Sequence, residues 1–134
     1  MNAHDLDVLA RTIYGEARGE PAEGKIAVGR VIINRWESGK WFAGKTIAET
    51  CQKPWQFSCW NPSDTNREKL LAVSAEKPAM QNCIRAAQAA ERGEGPAWLV
   101  GCTHYHTASI RPHWAIGKEP VGQMGKHLFY RNIN

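Results

Sequence analysis

The sequence predicts a mainly helical α+β fold with little sheet, and three observations carry that expectation. Apolar residues recur at helical spacing through most of residues 6–90. Glycines and prolines fall where helices should start and stop. After Pro96 the composition turns to Thr, Tyr, Val and Trp, residues that favour strands.

The first helix is expected from about Asp5 to Gly19, with Pro21 beyond it and Leu6, Leu9, Ala10, Ile13 and Ala17 as its apolar stripe. A second helix should run from about Glu23 to Ser38, closed by Gly39. Its Ile26–Val28 and Val31–Ile33 runs are apolar most of the way round, which belongs in the middle of a core. Thr46-Ile47-Ala48-Glu49 reads as a capping box opening a short helix. Residues 52–66 hold Pro54, Trp55, Phe57, Trp60 and Pro62 and should be a loop or short hairpin. A helix is expected near Asn66–Ser74, and another from Pro78, a residue suited to a first helical position, to Gly93. Trp98–Thr107 and Lys126–Tyr130 are the expected strands.

The chain has 134 residues, which suits a single domain over 1–134 with a real core. No apolar run approaches the ~20 residues needed to span a bilayer, so no stable membrane insertion is expected. Seventeen Lys and Arg against 13 Asp and Glu give +4. That mild excess favours polyanions in general. No long basic run or nucleic-acid motif accompanies it, so no nucleic-acid partner is expected. Cys51, Cys59, Cys83 and Cys102 form no C-x-x-C pair, which argues against a zinc ribbon or thioredoxin-type motif. They are either buried thiols or two disulfides of unassignable pairing.

One carboxylate stands out. On a helical wheel Glu16 falls roughly 20° from Leu9 and roughly 60° from Ile13, on the apolar stripe and in the helix's last turns. Desolvation and the negative helix end should both raise its pKa. An acid kept protonated near neutral pH is what general-acid cleavage of a glycosidic bond requires. Gly15 beside it removes a side chain and would let a bulky substrate approach. The competing reading pairs Glu16 with Arg11, Arg18 or Arg30 and gives it no chemistry. Glu20 and Glu23 are weaker candidates near Pro21.

Tyr14-Gly-Glu-Ala-Arg-Gly-Glu-Pro21, then Glu23-Gly24 and Ala27-Val28, resemble the opening signature of the spore-cortex-lytic and cell-wall hydrolase (SleB/CwlJ-like) family. Four later blocks agree in order: Gln56–Asn61, Thr103–Thr107, Pro112–Ala115 and Gly125–Tyr130. The resemblance covers roughly residues 9 to 130. It implies a lysozyme-like fold with a small β-element beside a substrate cleft. It implies a muramidase or lytic transglycosylase acting on peptidoglycan glycan strands, with Glu16 as catalytic residue and no metal or cofactor.

Most glycosidases use a second carboxylate. Asp64 is the nearest candidate, although a turn or helix N-cap suits it equally. A single-acid route needs none. Glu16 protonates the glycosidic oxygen, and the substrate's own 2-acetamido or 6-hydroxyl group captures the sugar cation.

Flat sugar faces and hydroxyls suit a groove of aromatics and amides. Gln56, Phe57, Ser58 and Trp60 offer that mixture, with Phe57 and Trp60 also natural core residues. Thr46 is either a cleft group or only the helix cap. On a strand, His104 and His106 point one way and Tyr105 the other. Tyr105 is a candidate hydroxyl near the acid, and Trp114 a candidate cleft wall. The His pair suits hydrogen bonding to substrate. It also supports a rival, a metal-dependent peptidoglycan amidase or peptidase with His113 or His127 as third ligand. A non-catalytic wall-binding module is the remaining alternative.

Residues 1–7 show no basic and apolar signal pattern. A small lysin domain of this kind looks like a bacteriophage endolysin. The expectation is a monomer made in the cytoplasm, acting on the wall after release through a holin-type lesion.

Overall fold

The computed structural model describes residues 1–134. Five helices, α1 (Ala3–Ala17), α2 (Ala22–Ser38), α3 (Ile47–Gln52), α4 (Thr65–Ala72) and α5 (Pro78–Glu91), precede three short strands. The strands are β1 (Cys102–Thr107), β2 (Gly122–Met124) and β3 (His127–Arg131), and 3-10 turns occupy Ser58–Trp60, Ala97–Leu99 and His113–Ala115.

The helix ends follow local chemistry. The Asn2 side chain accepts from the Asp5 amide at 2.8 Å, which starts α1 at Ala3, two residues before the expected Asp5. α2 follows Pro21 and ends at Gly39, whose φ of 64° few other residues adopt without strain. Thr46 accepts from the Glu49 amide at 3.0 Å, and Glu49 in turn accepts from the Lys45 amide at 2.8 Å. Asp64 caps α4 by accepting from the Asn66 amide at 2.8 Å. Pro78 opens α5.

α2 lies at the centre. One side joins Leu9 and Ile13 of α1, Val28 and Ile32 of α2, and Met80, Cys83 and Ala87 of α5 in the main core. Ala27 and Val31 face the other way and meet Leu99, Cys102 and Phe129. Burial on both sides explains why this helix is apolar nearly all round. The Asn34 side-chain amide donates to the carbonyls of Leu99 and Cys102 at 3.0 and 2.8 Å, fixing the start of β1 against α2.

The sheet is antiparallel in the order β1-β3-β2, with Tyr105 opposite Phe129 and Thr107 opposite His127. Two expectations change here. Trp98–Val100 does not belong to the first strand. Pro96 starts a 3-10 turn over Ala97–Leu99, and the strand begins only at Cys102. The unexpected β2 pairs with β3 where Gly122 leaves room for Trp98, whose Cδ2 would lie 2.4 Å from any Cβ there. All four cysteines are buried free thiols.

Candidate active site

Glu16 sits in the last turn of α1 and lines a cleft of about 480 Å³. The α1–α2 turn, Asn66 at the start of α4, Thr107 at the end of β1, and Lys126 and His127 at β3 form its walls. Burial raises the Glu16 pKa above the ordinary carboxylate value, and the Asp64 charge adds to the rise. Three donor groups oppose it. The Tyr105 hydroxyl donates to Oε1 at 3.0 Å, and the Cys59 thiol and main-chain amide also reach the carboxylate. Burial holds the Tyr105 phenol well above its own usual value, so it stays a donor.

No arginine expected as an ion-pair partner is available to Glu16. Arg11 binds Asp7 and the Leu70 and Val73 carbonyls. Arg18 donates to Tyr14 O and Asn66 Oδ1, and Arg30 to Gly93 O and Glu94 O. The cation that does face the site is Arg35, which the sequence reading missed. Burial lowers its pKa to about 10, and the neighbouring Tyr105 and Glu16 oppose that fall. Its Nε donates to Thr103 O at 2.5 Å and its Nη1 to Gln56 Oε1 at 2.7 Å, while the guanidinium lies 4.7 Å from the Phe57 ring centre. An arginine near the end of an otherwise apolar buried helix was the available signal.

Gln56 and Phe57 therefore hold Arg35, and Phe57 is fully in the core. Ser58 is exposed, on the turn that brings Cys59 to Glu16. The Trp60 indole donates to Thr12 Oγ1 at 2.9 Å, one turn of α1 before the acid. Thr46 is an exposed cap, away from the cleft. Asp64 is likewise occupied as a cap, although its charge reaches Glu16. Gly15 makes room for protein rather than substrate. A Cβ there would come within 2.7 Å of Cys59 Cβ and 2.9 Å of Leu70 Cδ2.

Alternation along β1 separates Tyr105 from His104 and His106. The two histidines pack against Trp114 on the far face of the sheet, at ring-centre distances of 4.9 and 5.6 Å. His104 is buried, and desolvation lowers its pKa to about 3, so it is neutral. His106 contacts the Tyr130 hydroxyl at 2.8 Å and Thr107 O at 2.7 Å. The structure therefore does not bring His104, His106 or Trp114 to Glu16. His127 packs on Tyr105, on the opposite face, and no three His, Cys, Asp or Glu residues converge in a metal-binding arrangement.

The cleft holds a second carboxylate. Glu20 lines it, with Oε1 3.4 Å from His127 Nδ1. Burial lowers the His127 pKa and the Glu20 charge opposes that shift.

Two solved structures share this fold. The catalytic domain of Bacillus cereus SleB aligns with a TM-score of 0.74 at 22% identity, covering 96% of this chain and 90% of that one. The catalytic domain of the germination-specific lytic transglycosylase SleB from Bacillus anthracis aligns with a TM-score of 0.75 at 23% identity, covering 96% and 95%. The fold is lysozyme-like. No curated protein matches the chain. A family model described as cell wall hydrolase matches residues 19–130, starting three residues beyond Glu16. With most of its length inside that match, the chain belongs to the cell wall hydrolase family.

Proposed function

We propose that the protein is a lytic transglycosylase that cleaves peptidoglycan glycan strands, with Glu16 as the general acid. The carrying observation is a carboxyl group with a raised pKa, hydrogen-bonded by Tyr105 and open to a polar cleft. Family membership supports the same reading, as does the likeness to the Bacillus anthracis protein, itself a germination-specific lytic transglycosylase.

Protonated Glu16 gives its proton to the glycosidic oxygen as the bond to the anomeric carbon breaks. The Tyr105 hydroxyl and the Cys59 amide then stabilise the carboxylate left behind. Glu20, in the same cleft, offers negative charge to the sugar cation. The substrate's 6-hydroxyl closes on the anomeric carbon and returns its proton to Glu16, leaving a 1,6-anhydro end. Purified sacculi test this by mass spectrometry. Anhydro termini with intact stem peptides are expected. Reducing termini carrying solvent oxygen would make the enzyme a hydrolytic muramidase, and released stem peptides would overturn glycan cleavage.

The pH profile tests the acid's neighbours. Removing the Tyr105 hydroxyl takes away a bond that lowers the Glu16 pKa, so that pKa rises further in Tyr105→Phe. A general acid works while protonated. The alkaline limb of the kcat profile is therefore expected to move to higher pH, while kcat falls about tenfold for loss of a bond to a charged group. An unmoved limb would show that the hydroxyl does not sense Glu16.

The same proposal takes the enzyme as a monomer that reaches the wall through a holin-type lesion, as an endolysin does. Wall degradation in producing cells before any lesion forms would overturn that route.

A further inference from the structure

The segment between α3 and α4 carries a second concavity, of about 280 Å³. Gln52, Pro54, Trp55, Trp60, Asn61 and Pro62 line it. Trp55 is the unusual residue. It is 86% exposed, the highest value among the exposed large hydrophobic residues. Its φ of 69° makes it one of two non-glycine residues in the left-handed region. That backbone conformation costs a non-glycine residue roughly 1–2 kcal/mol, and core packing does not compensate an indole left in water. Something outside the folded chain is the natural partner for it.

The cavity and the cleft share no lining residue, but two short elements connect their walls. Cys59 and Trp60 are neighbours on one 3-10 turn. Cys59 meets Glu16, and Trp60 donates to Thr12, which precedes Glu16 by one turn on the same face of α1. The turn therefore ties one wall of the pocket to α1 one helical turn from Glu16. Indoles bind the apolar faces of sugars, and amides such as those of Gln52 and Asn61 bind hydroxyl and acetamido groups.

We propose that the Trp55–Trp60 cavity is a subsite that stacks an N-acetylhexosamine ring of the glycan strand and extends the Glu16 cleft. The inference rests on the glycan-cleaving reading for its ligand, but its test does not need turnover. The full chain carrying Glu16→Gln is titrated with a β-1,4-linked N-acetylglucosamine hexamer, following the tryptophan indole N–H signals by NMR. The Trp55 signal is expected to shift on binding. Adding Trp55→Ala is expected to weaken affinity about tenfold, and Trp55→Phe to restore most of it. An unchanged melting temperature shows that each variant is folded. Unchanged affinity in Trp55→Ala, or a Trp55 signal that does not move, would overturn the subsite. In otherwise wild-type enzyme, Trp55→Ala should raise KM on intact strands with kcat unaltered. Trp55-dependent hexamer binding by a protein that cleaves no glycan would leave the subsite standing and remove the catalytic reading instead.

Discussion

Glu16→Gln is expected to lower glycan cleavage about 10³-fold or more, the scale of a lost general acid. Glutamine keeps the shape of the side chain and can still accept the Tyr105 hydroxyl, but it has no proton to deliver. The fold should survive and should tolerate base better than the native chain. Burial raises the Glu16 pKa in the folded state. Such a group stabilises most below its unfolded-state pKa, and that contribution is lost as pH rises through the folded-state value. Glutamine has no charge to bury. The melting temperature of the variant relative to wild type should therefore increase with pH. Sacculus turnover and a melt at two pH values check both parts. Wild-type turnover in a folded Glu16→Gln protein would end the assignment.

Gly15→Ala should be the most damaging single methyl group near the site. The added Cβ would stand 2.7 Å from Cys59 Cβ, 2.8 Å from its sulfur and 2.9 Å from Leu70 Cδ2. Both residues are buried, so neither can swing into solvent. Overpacking of this kind costs about 2 kcal/mol, or a melting temperature lower by about 8 °C for a chain of this size. Relief requires the Ser58–Trp60 turn to back away from α1, which withdraws the Cys59 amide and thiol from Glu16. Activity at a temperature where the variant is folded should fall as well, by about tenfold for one lost bond to the carboxylate. A native melting point in Gly15→Ala would show that the turn can retreat from α1 at no cost.

Glu16 was legible because a carboxylate on an apolar helical stripe conflicts with the pattern around it. The same periodicity hid Arg35. On α2, buried on both sides, no polar face exists to measure a polar residue against, and its contacts with Thr103 and Gln56 span 68 and 21 residues of sequence. Alternation along β1 separated Tyr105 from His104 and His106 correctly. It could not say which face meets α1, because that depends on how the sheet docks through Asn34 and Arg35. Trp98 and Val100 were misread because β-propensity describes packing surfaces, and here Pro96 sets the local backbone first. β2, only three residues long, exists because β3 offers it an edge. Glu20 looked like a turn residue in sequence, and only the fold brings His127 to it.

The bond between Tyr105 and Glu16 joins residues 89 positions apart, across the helical body and into the sheet. A chain made from its N-terminus exposes α1 long before β1 exists. The helices meet through contacts on one side of α2, whereas the sheet docks on the other. The hydroxyl that steadies the acid therefore arrives last. Chains released before β1 is made carry Glu16 without that partner, and the complete site belongs only to chains in which residues 102–131 have been built and folded.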